Sequence, residues 1–266
     1  MYQRFQKEFN VRNPVGVLAD GPDEIRKACR DQFRAGADFI KITTTGGVTS
    51  QGDSPSHAQY TVEEIKVAVE EADMHGTYVS SHAQTLRGIK NVLKAGVMSI
   101  EHCFQVDDEV LELFAKTGAW IVPTFTILQC YLSHIELMPP DVAAKARWAG
   151  DLHFESIATA RKAGIKIGYG TDLISDPVVC PYGENNLKEF HYLSKIGMSP
   201  METIMAATKT GSEIIMRDKE VGSLEAGKLA DITVCDGNPL ENIDILTSIN
   251  NIKLVMIDGK IKKDIL

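Results

Sequence analysis

The sequence predicts an α/β fold in which parallel strands covered by helices form a barrel of the (β/α)8 type. Three observations carry this expectation. A helix-like stretch closed by glycine recurs five times, at Gly36, Gly76, Gly96, Gly118 and Gly164, each followed by a short apolar run. The runs DFIKIT, TYVSSH, MSIEH, AWIVPT and IKIGYGTD are mostly apolar, the pattern of parallel strands covered on both faces. Each run also carries a polar residue at or near its end: Lys41, His82, His102, Thr124 and Asp172. A barrel brings the C-terminal ends of its strands to one face, where these five groups meet, whereas an open sheet spreads them along an edge.

The elements follow in order. Gly36 occupies the left-handed position that ends a first helix, and the β-branched run DFIKIT follows it. Thr61 with Glu64 forms a capping box that opens the second helix, which Gly76 closes ahead of TYVSSH. Two shorter helices ending at Gly96 and Gly118 introduce MSIEH and AWIVPT, and a longer one ending at Gly164 introduces IKIGYGTD. Ser199, Pro200 and Glu202 start another helix, with proline in its favoured first turn. Beyond about residue 210 the rhythm stops. The pieces VGSLEAGK, LADITVCDGNP and IKLVMIDGKIKK read as short strands of a β appendage, with hairpin turns at Asp236-Gly237 and Asp258-Gly259.

Composition narrows the function classes. A chain of 266 residues, 44% hydrophobic and 24% charged, suits one large α/β domain with an appendage. A formal charge of -8 with no Lys/Arg-rich run excludes nucleic acid as a partner. The five cysteines are odd in number and scattered, so neither a disulfide framework nor a thiolate zinc site is expected, and the reading is a reducing cytoplasm. The first residues, MYQRFQKEFNVRNP, lack the apolar core of a signal peptide, and no stretch is long and apolar enough for a bilayer, so no membrane is expected as partner.

Two imidazoles and a carboxylate at neighbouring strand ends make a divalent-metal site, which would lower the pKa of bound water towards ~7. His82, His102 and Asp172 are those groups, and Asp172 is placed to take a proton from water and return it to a leaving amine. Lys41 sits between Phe39, Ile40 and Ile42, where desolvation is expected to expose a nucleophilic amine. Such an amine either condenses with CO2 to a carbamate or forms a Schiff base.

At this point the chain resembles the amidohydrolase superfamily of metal hydrolases, near its imidazolonepropionase-like and Xaa-Pro dipeptidase-like members. FIKI, VSSHA, IEHC, GTD and the tail GSLEAGKLADITVCDGNPL carry the resemblance. It implies that Lys41, as N6-carboxylysine, with His82, His102 and Asp172 are metal ligands, and that Asp172 is also the catalytic base. It implies divalent metals, zinc or manganese, two in the family and one here. It further implies residues 1–215 as a partial (β/α)8 TIM-like barrel, about strands four to eight, and 216–266 as the C-terminal β segment of a composite sandwich domain. The His-x-His pair that opens the family's barrel is absent from the sequence.

Other candidates are read as structural. Alternation from His102 places Glu101 on the opposite face. His57 reads as a solvated loop residue, His75 as a partner of a helix's negative end, and His134, His153 and His191 as surface or packing residues. Gln84 stands where relatives are expected to contact substrate. The leading function is metal-dependent hydrolysis of a C–N bond in a small amide, dipeptide or cyclic amide. A Schiff-base lysine aldolase built on Lys41 is a second reading. A third is no enzyme by itself: a truncated, inactive or split-enzyme subunit needing a partner, as a homo-oligomer or with a complementing N-terminal chain.

Overall fold

The computed structural model describes residues 16–50, 52–173 and 178–266; the N-terminal stretch MYQRFQKEFNVRNP lies outside the described residues. Four strands, β1 (Ile40–Thr43), β2 (Val79–Ala83), β3 (Ser99–His102) and β4 (Trp120–Val122), pair in parallel in sequence order. Helices intervene throughout: α1 (Gly21–Arg34), α2 (Val62–Met74), α3 (Leu86–Ala95), α4 (Asp108–Thr117), α5 (Phe125–Ser133) and α6 (Pro140–Lys162). The alternation is the expected α/β pattern. Gly96 and Gly118 close α3 and α4 at positive φ, 96° and 70°, a conformation any Cβ would strain.

The capping box of Thr61 and Glu64 opens α2 as expected. That of Ser199 and Glu202 opens α9 (Pro200–Ala207), between α7 (Glu184–Leu187), α8 (Glu189–Lys195) and α10 (Lys209–Ile214). One apolar core fills the space between sheet and helices, with Ile65, Ile89, Ile100, Ile121 and Ile157 essentially inaccessible. Burial of such side chains, each stabilising by about 1.5–3 kcal/mol, holds the sheet under its helical cover. Two ion pairs tie α1 to α2, the buried Glu71 carboxylate receiving the part-exposed Arg26 and Arg30 at 2.7 and 2.9 Å.

Three expectations need correction. The fifth run contributes only a bridge, Ile121 with Ile167, sealed by Gly168 N–H donating to the Ile121 carbonyl at 2.8 Å. The polar Gly170-Thr171-Asp172 stretch then leaves the sheet. VGSLEAGK forms turns, its two glycines both at positive φ. The appendage is therefore a three-stranded antiparallel sheet, β5 (Ile232–Cys235), β6 (Ile252–Ile257) and β7 (Lys260–Asp264). Asp258-Gly259, with φ 49° and 70°, joins β6 to β7 as a hairpin turn of the expected kind. Asp236-Gly237 does not make a hairpin, because the chain first runs through the 3-10 turn Ile243–Thr247, whose Ile243 and Leu246 are buried. No helix among the described residues is long and apolar enough to cross a membrane.

Candidate active site

The parallel register sorts the side chains. Lys41 pairs with Ser80, Ser80 with Ser99, and His82 with Glu101, so alternation places all of them on the sheet face away from the helices. Ser80 and Ser99 both donate to Glu101 Oε1 at 2.7 Å, fixing its carboxylate. Glu101 thus shares the face of His82, contrary to the sequence expectation. Alternation fails at the next residue because His102 has φ 75° and Cys103 φ 53°, both left-handed. The turn brings the His102 ring back beside His82, their centroids 4.5 Å apart and edge to face.

Four of the six non-glycine residues at positive φ among those described lie here: His102, Cys103, Thr124 and Asp172. Each such conformation costs on the order of 1–3 kcal/mol and persists only where surrounding contacts impose it. Those contacts are specific. Thr124 Oγ1 lies 2.7 Å from His102 Nδ1, so an Nδ1–H donating to the hydroxyl leaves the Nε2 lone pair free. His102 Nε2 lies 4.0 Å from Asp172 Oδ2. From α6, His153 Nε2–H donates to the His102 carbonyl and Ser156 Oγ to the Cys103 carbonyl, each at 3.0 Å.

His82 is held from the loop after β1, where its Nε2 lies 3.3 Å from the Gly46 carbonyl. That loop is pinned by Lys145 Nζ, which donates to the carbonyls of Gly47, Ser50 and Asp53. Gly46 has to be glycine, since a Cβ there would stand 2.2 Å from the Ser54 carbonyl. Thr124 is placed from below by Glu189, fully buried, which accepts from Phe125 N–H at 2.9 Å and Thr126 N–H at 2.8 Å at the start of α5.

Electrostatics keep both imidazoles neutral. Burial lowers His82 to about 4, and burial with the neighbouring charge of Lys41 lowers His102 well below the usual histidine range. Asp172 is raised by desolvation, opposed by Lys41 and reinforced by Glu101. Half of its side-chain surface still meets solvent. Lys41 itself is exposed, and among the described residues no hydrogen bond or ion pair reaches its amine. The expected apolar enclosure is absent because Lys41 lies on the uncovered face of β1, an edge strand here.

Neutral imidazole nitrogens and a carboxylate are the donor set of a divalent cation. The chemistry fits, but the number is short: no group of three or more His, Cys, Asp or Glu side chains among the described residues is gathered closely enough to hold an ion. His102 and Asp172 supply a converging pair, with His82 adjacent.

Sequence reasoning missed His153, Ser156, Glu189 and Glu101. For His153 the available signal was a polar pair, three residues apart, on the otherwise apolar buried stripe of α6.

A four-stranded parallel α/β sheet thus carries His82 and His102 at the C-terminal ends of β2 and β3, with Asp172 beside them beyond the bridge at Ile167. The family model of the amidohydrolase family matches residues 4–262, and the chain belongs to that family. Ochratoxinase of Aspergillus niger is 36% identical over 248 residues, which cover 92% of this chain and 50% of that protein. Imidazolonepropionase of Brevibacillus brevis is 26% identical over 215 residues, 76% of this chain and 43% of that one. A crystal structure of a Xaa-Pro dipeptidase with methionine bound in its active site superposes with a TM-score of 0.85 at 32% identity, covering 97% of this chain and 64% of that one. The chain spans about half the length of the curated relatives it matches.

Proposed function

We propose that this chain carries part of the catalytic centre of a metal-dependent amidohydrolase that cleaves a C–N bond in a small amide or dipeptide. The observation that carries the reading is the His102 Nε2 to Asp172 Oδ2 approach of 4.0 Å beside a second neutral imidazole. His82, His102 and Asp172 would hold a divalent ion, zinc or manganese, with Lys41 as carbamate ligand. Such an ion, when bound, supplies Lewis acidity and a hydroxide at neutral pH.

The protein's own groups supply the rest. Asp172, raised from its ordinary value by desolvation, would take a proton from water and deliver it to the leaving amine. Desolvation, with a smaller repulsion from Glu101, raises Asp172 against the charge of Lys41, while Thr124 keeps the His102 lone pair on Nε2. Among substrates, dipeptides with a C-terminal proline and ochratoxin are the first choices, following the dipeptidase and ochratoxinase similarities. We read the parallel sheet as part of a (β/α)8 barrel and residues from 216 onward as part of a sandwich.

A complemented enzyme, whose further ligands come from a second chain or segment, is the second reading, and among the described strands β1 pairs only with β2. The Schiff-base reading gives His82 and His102 no role, whereas the metal reading uses both. The test is hydrolysis of Xaa-Pro dipeptides and ochratoxin with added Zn2+ or Mn2+ and bicarbonate. Turnover that stops with chelator supports the reading. Turnover indifferent to chelator overturns it, and turnover appearing only after a His-x-His-bearing relative segment is added supports the complemented form.

A further inference from the structure

We propose that His153 is a positioning residue: from the buried face of α6 it fixes the left-handed turn at His102, and with it the aim of His102 Nε2. The inference rests on the reading of His102 as a site residue. Two successive carbonyls, those of His102 and Cys103, receive two side chains three residues apart on one helix, His153 and Ser156, each at 3.0 Å. Positions three apart share a helix face, so the two donors of α6 match the two carbonyls of the turn.

The choice of residue is informative. His153 is fully buried against the rings of Phe104 and Phe125, with centroids 4.6 and 4.3 Å away. Beside the His102 carbonyl the ring also lies near the Pro123 carbonyl, but its Nδ1 makes no hydrogen bond of good geometry. A phenylalanine would fill this apolar space without an orphaned nitrogen, so what the imidazole adds is the Nε2–H bond to the His102 carbonyl. Residues 102 and 103 are both non-glycine at positive φ, a turn that relaxes unless its carbonyls are held. If it relaxed, His102 would return to strand alternation and leave both Thr124 and Asp172.

The experiment compares the full chain with His153→Phe, His153→Gln and Ser156→Ala by ring-nitrogen NMR and by Co2+ uptake, with thermal unfolding as a check on folding. Phenylalanine keeps the packing and removes the donor, while glutamine restores one. The expected wild-type spectrum shows His102 as a single neutral tautomer protonated on Nδ1. In His153→Phe that signal should split or move and Co2+ should bind roughly 10–100-fold more weakly. His153→Gln should recover most of both.

An unchanged His102 signal in folded His153→Phe overturns the proposal, as does a glutamine variant no better than phenylalanine. If His153→Phe does not fold, Ser156→Ala decides: a smaller shift of the His102 signal in the same direction supports the proposal, and none overturns it. Failure of the metal reading looks different, because the wild type then takes up no Co2+ while the ring spectra still separate the variants.

Discussion

The ends of β1 and β3 carry the two most suggestive side chains of the sequence, yet they are built in opposite ways. At β3, His102 is buried, turned by a left-handed backbone and tied at ring and carbonyl by Thr124 and His153. At β1, Lys41 is exposed, and among the described residues no hydrogen bond or ion pair holds its amine, although its charge acts on His102 and Asp172. Preorganisation is thus invested in the histidine half of the site, while among the described residues no side chain fixes the lysine amine. A group held by strain and buried hydrogen bonds can act only from one geometry, whereas a free lysine adopts its geometry on being covered.

The contrast is broken most severely at β3 itself. His102→Ala should lower divalent-metal affinity by more than the roughly 10–100-fold typical of losing an outer partner, measured by calorimetric titration of Zn2+. Next comes the buried carboxylate beneath Thr124. Glu189 is pushed up to about 7 by burial, above its ordinary 4.5, so the folded state keeps a proton that the unfolded chain has released. Its contribution to stability therefore falls as pH rises from about 4.5 through about 7, by about 3 kcal/mol in total. Chemical unfolding of wild type and Glu189→Gln across that range should show the difference between them changing by this amount. Taking the difference cancels the opposite slope from the buried imidazoles.

Gly46→Ala should cost about 1–3 kcal/mol in the same assay and weaken metal uptake, because its Cβ would meet the Ser54 carbonyl in the loop that holds His82. Gly259→Ala, in the β6–β7 turn at φ 70°, should cost about 1 kcal/mol and leave metal uptake unchanged, since this hairpin lies in the separate antiparallel sheet. The smallest effect on stability belongs to Lys41→Met, within about 0.5 kcal/mol. Its effect should instead appear as loss of bicarbonate-dependent turnover.

Those predictions trace what was legible in the sequence. The strand–helix rhythm was readable because glycine caps and apolar runs are local signals, and His82, His102 and Asp172 stood out at the run ends. What escaped depends on distant contacts. Glu101 was misassigned because nothing local announces the left-handed turn at His102 that breaks alternation. His153 and Glu189 act through backbone groups of segments far along the chain, His102 and Phe125, and carry no motif. The exposure of Lys41 was invisible for a related reason: apolar neighbours in sequence point to the other face of a strand.

The most direct test of the central claim is the stoichiometry of Zn2+ or Mn2+ bound to the purified chain, measured by elemental mass spectrometry in parallel with His102→Ala and Asp172→Asn. One ion per wild-type chain, lost in both variants, is the expected result. Wild type that retains no ion after reconstitution, or variants that bind as well as wild type, would contradict it.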